Sequence, residues 1–121
     1  MGVLVAVSIP IFTSQLEKAR ESTDVANERA AKAAAVTMYL SATDTSDTSV
    51  TWTTAGDPGA GFTANYDAAN GVLTTATPAG YGKGTSTSDA GIDPNNGANA
   101  GKYITVTVNG SGEVEIDWAG A

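Results

Sequence analysis

From Val3 to Leu40 the sequence contains no glycine and a single helix breaker, Pro10. This stretch constrains the fold more than any other. A helix over some 36 of these residues would extend about 54 Å, more than the width of a compact domain of this length, so part of it must project beyond whatever the remaining chain builds. Residues 3–12, VLVAVSIPIF, are almost wholly apolar, and charged helix follows them without a break. The apolar run is about half the ~20 residues a membrane span requires. Pro10 lacks an amide hydrogen and clashes with the carbonyl four residues back, which predicts a bend or local unwinding. The β-branched Val3, Val5, Val7 and Ile9 leave a strand ahead of Pro10 open as an alternative.

Along the stretch, Phe12, Leu16, Ala19, Thr23, Ala26, Ala30, Ala33, Thr37 and Leu40 recur at three-four spacing. They form one stripe of mostly small residues that another surface can approach closely. Charges are expected on the other side, with Glu28 four residues before Lys32 and Glu17 three before Arg20.

After Leu40 the sequence turns polar and rich in turn formers, SATDTSDTSVTWTTAGDPGAG, which ends the helix. Strand candidates follow at VTWTT (50–54) and at GVLTTAT (71–77), the latter introduced by the turn signal Asn70-Gly71. KYITVTV and EVEIDW flank NGSG and read as a hairpin. Ile104, Val106, Val108, Val114, Ile116 and Trp118 fall on its oily face, and Glu113, Glu115 and Asp117 on its wet one. Pro78–Gly101 has no periodicity and reads as a surface excursion held locally. A helix with one apolar side and a sheet with one oily side need each other. The expected fold is α+β, a long N-terminal helix packed on a three- to four-stranded antiparallel sheet. It forms a single domain, 1–121, divided into an apolar segment (1–12), the helix continuing onto the head (13–40) and a loop and sheet headgroup (41–121).

Thirteen acidic residues against six basic ones and no histidine give a formal charge of −7. Residues 1–32 balance, with Glu17, Glu21, Asp24 and Glu28 against Lys18, Arg20, Arg29 and Lys32, so the excess lies entirely in the rest. This argues against nucleic acid as a partner. Without cysteine there is no disulfide, thiolate metal site or cysteine nucleophile. Lys83 and Lys102 stand alone, and Glu113, Glu115 and Asp117 read as solvated charge, so an enzyme is not expected and no catalytic residue is assigned. GYGKGTS (80–86) lacks phosphate-loop spacing. Asp89, Asp93, Asn95, Asn96 and Asn99 carry oxygens that calcium accepts, but they are also ordinary turn residues without calcium-loop spacing. TDTSD (43–47) is a weaker set still, and Asn109 in NGS is explained by turn geometry. Trp52 and Trp118 read as core or edge aromatics. No cofactor is expected.

GVLVAVSIPIFTSQLEKAREST, residues 2–23, resembles the N-terminal region of type IV pilins and their pseudopilin relatives. It shares a glycine, an aliphatic run, an Ile-Pro pair, an aromatic and then mixed-charge helix, with Gly2, Pro10 and Phe12 on matching positions. SQLEKARES and DVANERAAKAA look most like pilins of Gram-positive bacteria. The resemblance implies a leader cut by a prepilin peptidase, then an N-methylated phenylalanine and a glutamate, all ahead of Gly2. By the same resemblance this chain is an N-terminally truncated headgroup lacking about a dozen mature residues, which would bring the apolar segment near the ~20 that span a bilayer. Val3, Leu4, Val5, Val7, Ile9, Pro10, Ile11 and Phe12 would then be the assembly helix, membrane-inserted before assembly and in the fibre core afterwards. Also implied are the pilin fold, homo-oligomerisation by a pilus assembly machinery, an extracellular cell-surface location, and a role in adhesion, aggregation, biofilm formation or twitching motility. The alternatives are the major pseudopilin of a type II secretion system, which holds calcium in a late loop where Asp89, Asp93 and Asn95 lie, or a small secreted ligand-binding module using Trp52, Trp118 and the 78–101 loop.

Overall fold

The first helix, α1, occupies Gly2–Ser41 in the computed structural model, which describes the backbone of residues 2–84 and 99–120 and side chains from residue 16 on, Glu17 excepted. Helix continues through Pro10, so the strand alternative for the apolar run does not hold. Forty residues make a rod about 60 Å long. At its end the Ser41 hydroxyl donates to the Thr37 carbonyl at 2.6 Å and the Ala42 amide to the Met38 carbonyl at 3.0 Å. Two successive Asx turns then carry the chain away: Asp44 Oδ1 accepts from the Ser46 amide and hydroxyl, and Asp47 Oδ1 from those of Ser49.

Five antiparallel strands follow, β1 (Thr51–Trp52), β2 (Phe62–Asp67), β3 (Val72–Thr74), β4 (Tyr103–Val108) and β5 (Val114–Ala119). Their order is β1-β2-β4-β5, with β3 pairing the far end of β2. The molecule is therefore α+β, and its sheet has five strands where three to four were expected. The addition is β2, in the middle of the sheet. Ala64, Asn65 and Asp67 are weak strand formers, yet Phe62, Ala64 and Tyr66 alternate inward and are buried. The β4–β5 hairpin forms as its alternation predicts, with Thr105 opposite Asp117 and Thr107 opposite Glu115 on the outer face. Its tip is set by Asn109, whose Oδ1 accepts from the Ser111 and Glu113 amides, and by Gly112 at φ +83.

The inner face of the sheet contributes Phe62, Ala64, Tyr66, Leu73, Ile104, Val106 and Val108 to the core, and α1 covers it with Ala31 and Ala35. Which side of α1 packs is a correction to the expected stripe. Buried positions on the helix are Glu21, Asp24, Val25, Glu28, Ala31 and Ala35, whereas Ala19, Thr23, Ala26, Ala30, Ala33 and Thr37 are exposed and Leu40 is 76% exposed. The small-residue stripe faces away from the sheet's core, and three acids face into it. The reason lies in what the helix meets there: the Lys83 and Gly84 amides beside the sheet and the Trp118 indole N–H on β5 need acceptors, which carboxylates supply and alanines cannot.

Candidate functional site

Asp24 is fully buried, and its carboxylate gathers a part of the chain 60 residues away. Oδ1 accepts from the Lys83 amide at 2.8 Å, and Oδ2 from the Gly84 amide at 2.8 Å and from the Asn99 side chain at 3.3 Å. These donors form the neck of the long excursion that the sequence leaves without periodicity. The two sides of the neck are laced together, Tyr81 and Gly82 amides on the Lys102 carbonyl, Gly101 on Gly82, and Ala100 on Gly84. They meet too closely for side chains, since a Cβ on Gly80 would overlap the Gly101 carbonyl oxygen and one on Gly82 that of Asn99. Lys102, Gly101 and Asn99 thus pair with a glycine-rich strand-like edge, and Asp24 clasps both sides to the helix. GYGKG is the inner half of this neck, which accounts for its glycines without an anion.

One turn further along α1, Glu28 Oε2 accepts the Trp118 indole N–H at 3.1 Å. Trp118 lies 5.9 Å from the Tyr81 ring and Tyr81 6.4 Å from Tyr66, both edge-on. The Tyr81 hydroxyl donates to the Tyr66 carbonyl at 2.6 Å and accepts from the Ile104 amide at 2.8 Å. Burial, opposed by the Ile104 bond, pushes its pKa up to about 12. Helix, neck and the β2–β4 pair are thereby joined through one polar and aromatic cluster.

Beside this cluster, on the flank of α1, a groove of about 830 Å³ opens between the helix and β3. Ala30, Ala33, Ala34 and Met38 form one wall, Val72 and Leu73 the other, and Asp47 stands at the rim. Val72 is 49% exposed there.

The other residues singled out from sequence fall as follows. Asp89, Asp93, Asn95 and Asn96 lie outside the described residues, while Asn99 is buried on Asp24. Among the described residues no group of three or more His, Cys, Asp or Glu side chains is placed to hold a metal ion. Asp44 and Asp47 do not converge; each is bound to its own serine, whose side-chain and backbone donors hold its pKa below the usual carboxylate value. Glu113, Glu115 and Asp117 are exposed, with Glu115 opposite Thr107 and Asp117 opposite Thr105 where β4 and β5 pair. Both indole N–H groups are bonded within the chain, Trp52 to the Asp47 carbonyl at 2.9 Å and Trp118 to Glu28, and Trp52 packs edge-on to Phe62. Val3, Leu4, Val5, Val7, Ile9, Pro10, Ile11 and Phe12 occupy the first three turns of α1, with side chains outside the described set. Among the described residues no helix is long and apolar enough to cross a membrane.

Sequence reasoning missed the buried acids and Tyr81. A signal for the acids exists: Glu21, Asp24, Val25, Glu28, Ala31 and Ala35 are themselves spaced as a helical stripe, hidden because a stripe is usually sought among apolar residues.

Comparison with models of known families, with characterised proteins and with solved structures returned no match.

Proposed function

We propose that this chain is a structural subunit of an extracellular filament of the type IV pilus kind, assembling through α1. The observation that carries the reading is the mismatch between the helix and its platform. Among the described side chains, which start at Leu16, the first buried position on α1 is Glu21, whereas the helix itself begins at Gly2, about 30 Å earlier along its axis. That front half contains the run VLVAVSIPIF. Apolar rods carried on polar heads associate when many copies are present, since each Å² of apolar surface removed from water contributes about 25 cal/mol. The polar outer face of the sheet would then form part of the outside of the fibre. On this reading the partners are further copies of the chain, the membrane before assembly, and the machinery that processes and stacks subunits; chemistry on a substrate plays no part.

The test is the native gene in its own cell. Cell-surface filaments labelled by antibodies to the head are expected, and Val7→Asp or Ile9→Asp is expected to abolish them while the isolated head keeps its melting temperature. An ordinary cleavable secretion signal upstream, with the protein released as a monomer, would overturn the reading.

A further inference from the structure

We infer that Asn109 is a self-modification site, its side-chain amide converted to a carboxylate through attack by the Gly110 backbone nitrogen, and that the other Asn-Gly step among the described residues, Asn70-Gly71, is locked against the same reaction. The site belongs to the hairpin tip alone and does not depend on the filament reading.

Glycine at position 110 is not demanded by the fold. Gly71 and Gly112 stand at φ +67 and +83, which their turns require. Gly110 is outside that region of φ, and a Cβ placed on it meets nothing nearer than 3.8 Å. What glycine supplies there is an unhindered amide nitrogen directly after an asparagine. That N–H has no hydrogen-bond partner among the described residues, and both Asn109 and Gly110 are exposed to water.

The asparagine is prepared from its other side. Oδ1 accepts from the Ser111 amide at 2.9 Å and from the Glu113 amide at 3.0 Å. Paired N–H donors on one carbonyl oxygen draw electrons from Cγ, and they hold the negative charge that this oxygen gains when a nucleophile adds, as an oxyanion hole does. The attacking nitrogen is in the same chain and next in sequence, so no encounter has to be waited for. Hydroxide removes the Gly110 amide proton, the N–Cγ bond forms, the Cγ–Nδ2 bond breaks and ammonia leaves. Water then opens the cyclic imide at either carbonyl, giving aspartate or isoaspartate with no change of oxidation state.

At Asn70 the corresponding groups are tied. The Gly71 amide donates to the Asp67 carbonyl at 2.8 Å, and Asn70 Nδ2 donates to Asp67 Oδ2 at 2.8 Å. Nucleophile and leaving group are thus both held by Asp67, whose carboxylate also opposes a developing oxyanion beside it. The remaining Asn-Gly step, Asn96-Gly97, lies outside the described residues. A copy that stays in place for long therefore gains a carboxylate near Glu113, a mark set by age and not by an enzyme.

Cleavage after lysine puts Asn70, Asn96 and Asn109 into separate peptides, 33–83, 84–102 and 103–121. The intact protein is kept at mildly alkaline pH, and each peptide is scored by mass spectrometry for amide-to-acid exchange and for isoaspartate. Asn109 is expected to react several-fold faster than Asn70, and the gap is expected to close in urea, where Asn70 is released. Gly110→Ala, for which the turn has room, is expected to slow the reaction at Asn109 several-fold at an unchanged melting temperature. Asn70 keeping pace with Asn109 in the folded protein, or Asn109 reacting faster in urea than when folded, overturns the proposal. So does a folded Gly110→Ala that reacts at the wild-type rate; if that variant does not fold, the comparison of folded and urea-treated wild type decides.

Discussion

At Tyr81 one hydroxyl serves two strands, donating to the Tyr66 carbonyl and accepting from the Ile104 amide at the end of the β2–β4 pairing. Tyr81→Phe leaves both groups short of a partner and is expected to cost about 1–3 kcal/mol in chemical denaturation. The same hydroxyl gives an alkaline signature. Its pKa is raised by burial to about 12, above the unfolded value near 10. The folded state therefore holds the proton more tightly, and the associated stability is complete below pH 10 and lost as pH rises through 12. After allowance for solvent at a half-buried ring this is up to about 2 kcal/mol. Denaturation midpoints of wild type and Tyr81→Phe should converge between pH 10 and 12; parallel curves would refute the assignment. Asp24 makes the complementary case at acid side chains. Asp24→Asn exchanges one acceptor oxygen for a donor that faces the Lys83 or Gly84 amide, and a loss of about 2–3 kcal/mol is expected. Hydrogen exchange at those two amides should accelerate far more than at Ile104.

Among the elements, the helix and the terminal hairpin were legible because each repeats one period over many residues. Ile104, Val106 and Val108 alternate without exception, and no glycine interrupts α1 after Gly2. The strand β2 was not legible: FTANYD has only Phe62, Thr63 and Tyr66 as strand formers, and its pairing with β4 on one side and with β1 and β3 on the other supplies what propensity lacks. The inward face of α1 was misread for a different reason. Its partners are amides and an indole from Lys83, Gly84 and Trp118, residues far along the chain that no local window contains. The neck was visible only as a scatter of glycines. Their requirement is steric, and Gly82→Ala should push the Asn99 side of the neck away, lowering the melting temperature and exposing the Trp118 indole to fluorescence quenchers. A wild-type melting curve for Gly82→Ala would show that the two sides do not meet as described. Substituting an exposed strand residue such as Thr63 with alanine should change stability by no more than about 0.5 kcal/mol.

Taken as one body, the molecule is a rod with a sheet fastened along its rear half. The fastening is spread along the rod: Asp24 to the neck, Glu28 to β5, Ala31 and Ala35 to the sheet's apolar floor. No covalent cross-link contributes, since the chain has no cysteine. A tug on the front of the rod is therefore borne in shear, by several attachments loaded together, whereas a tug across the sheet would unzip β5 from its edge one bond at a time. Pulled lengthwise from residue 2 against an attachment on β5, the head should yield at a higher force than when β5 is peeled, and Asp24→Asn should lower only the first of these. A protein clasped in this way transmits tension end to end before it comes apart.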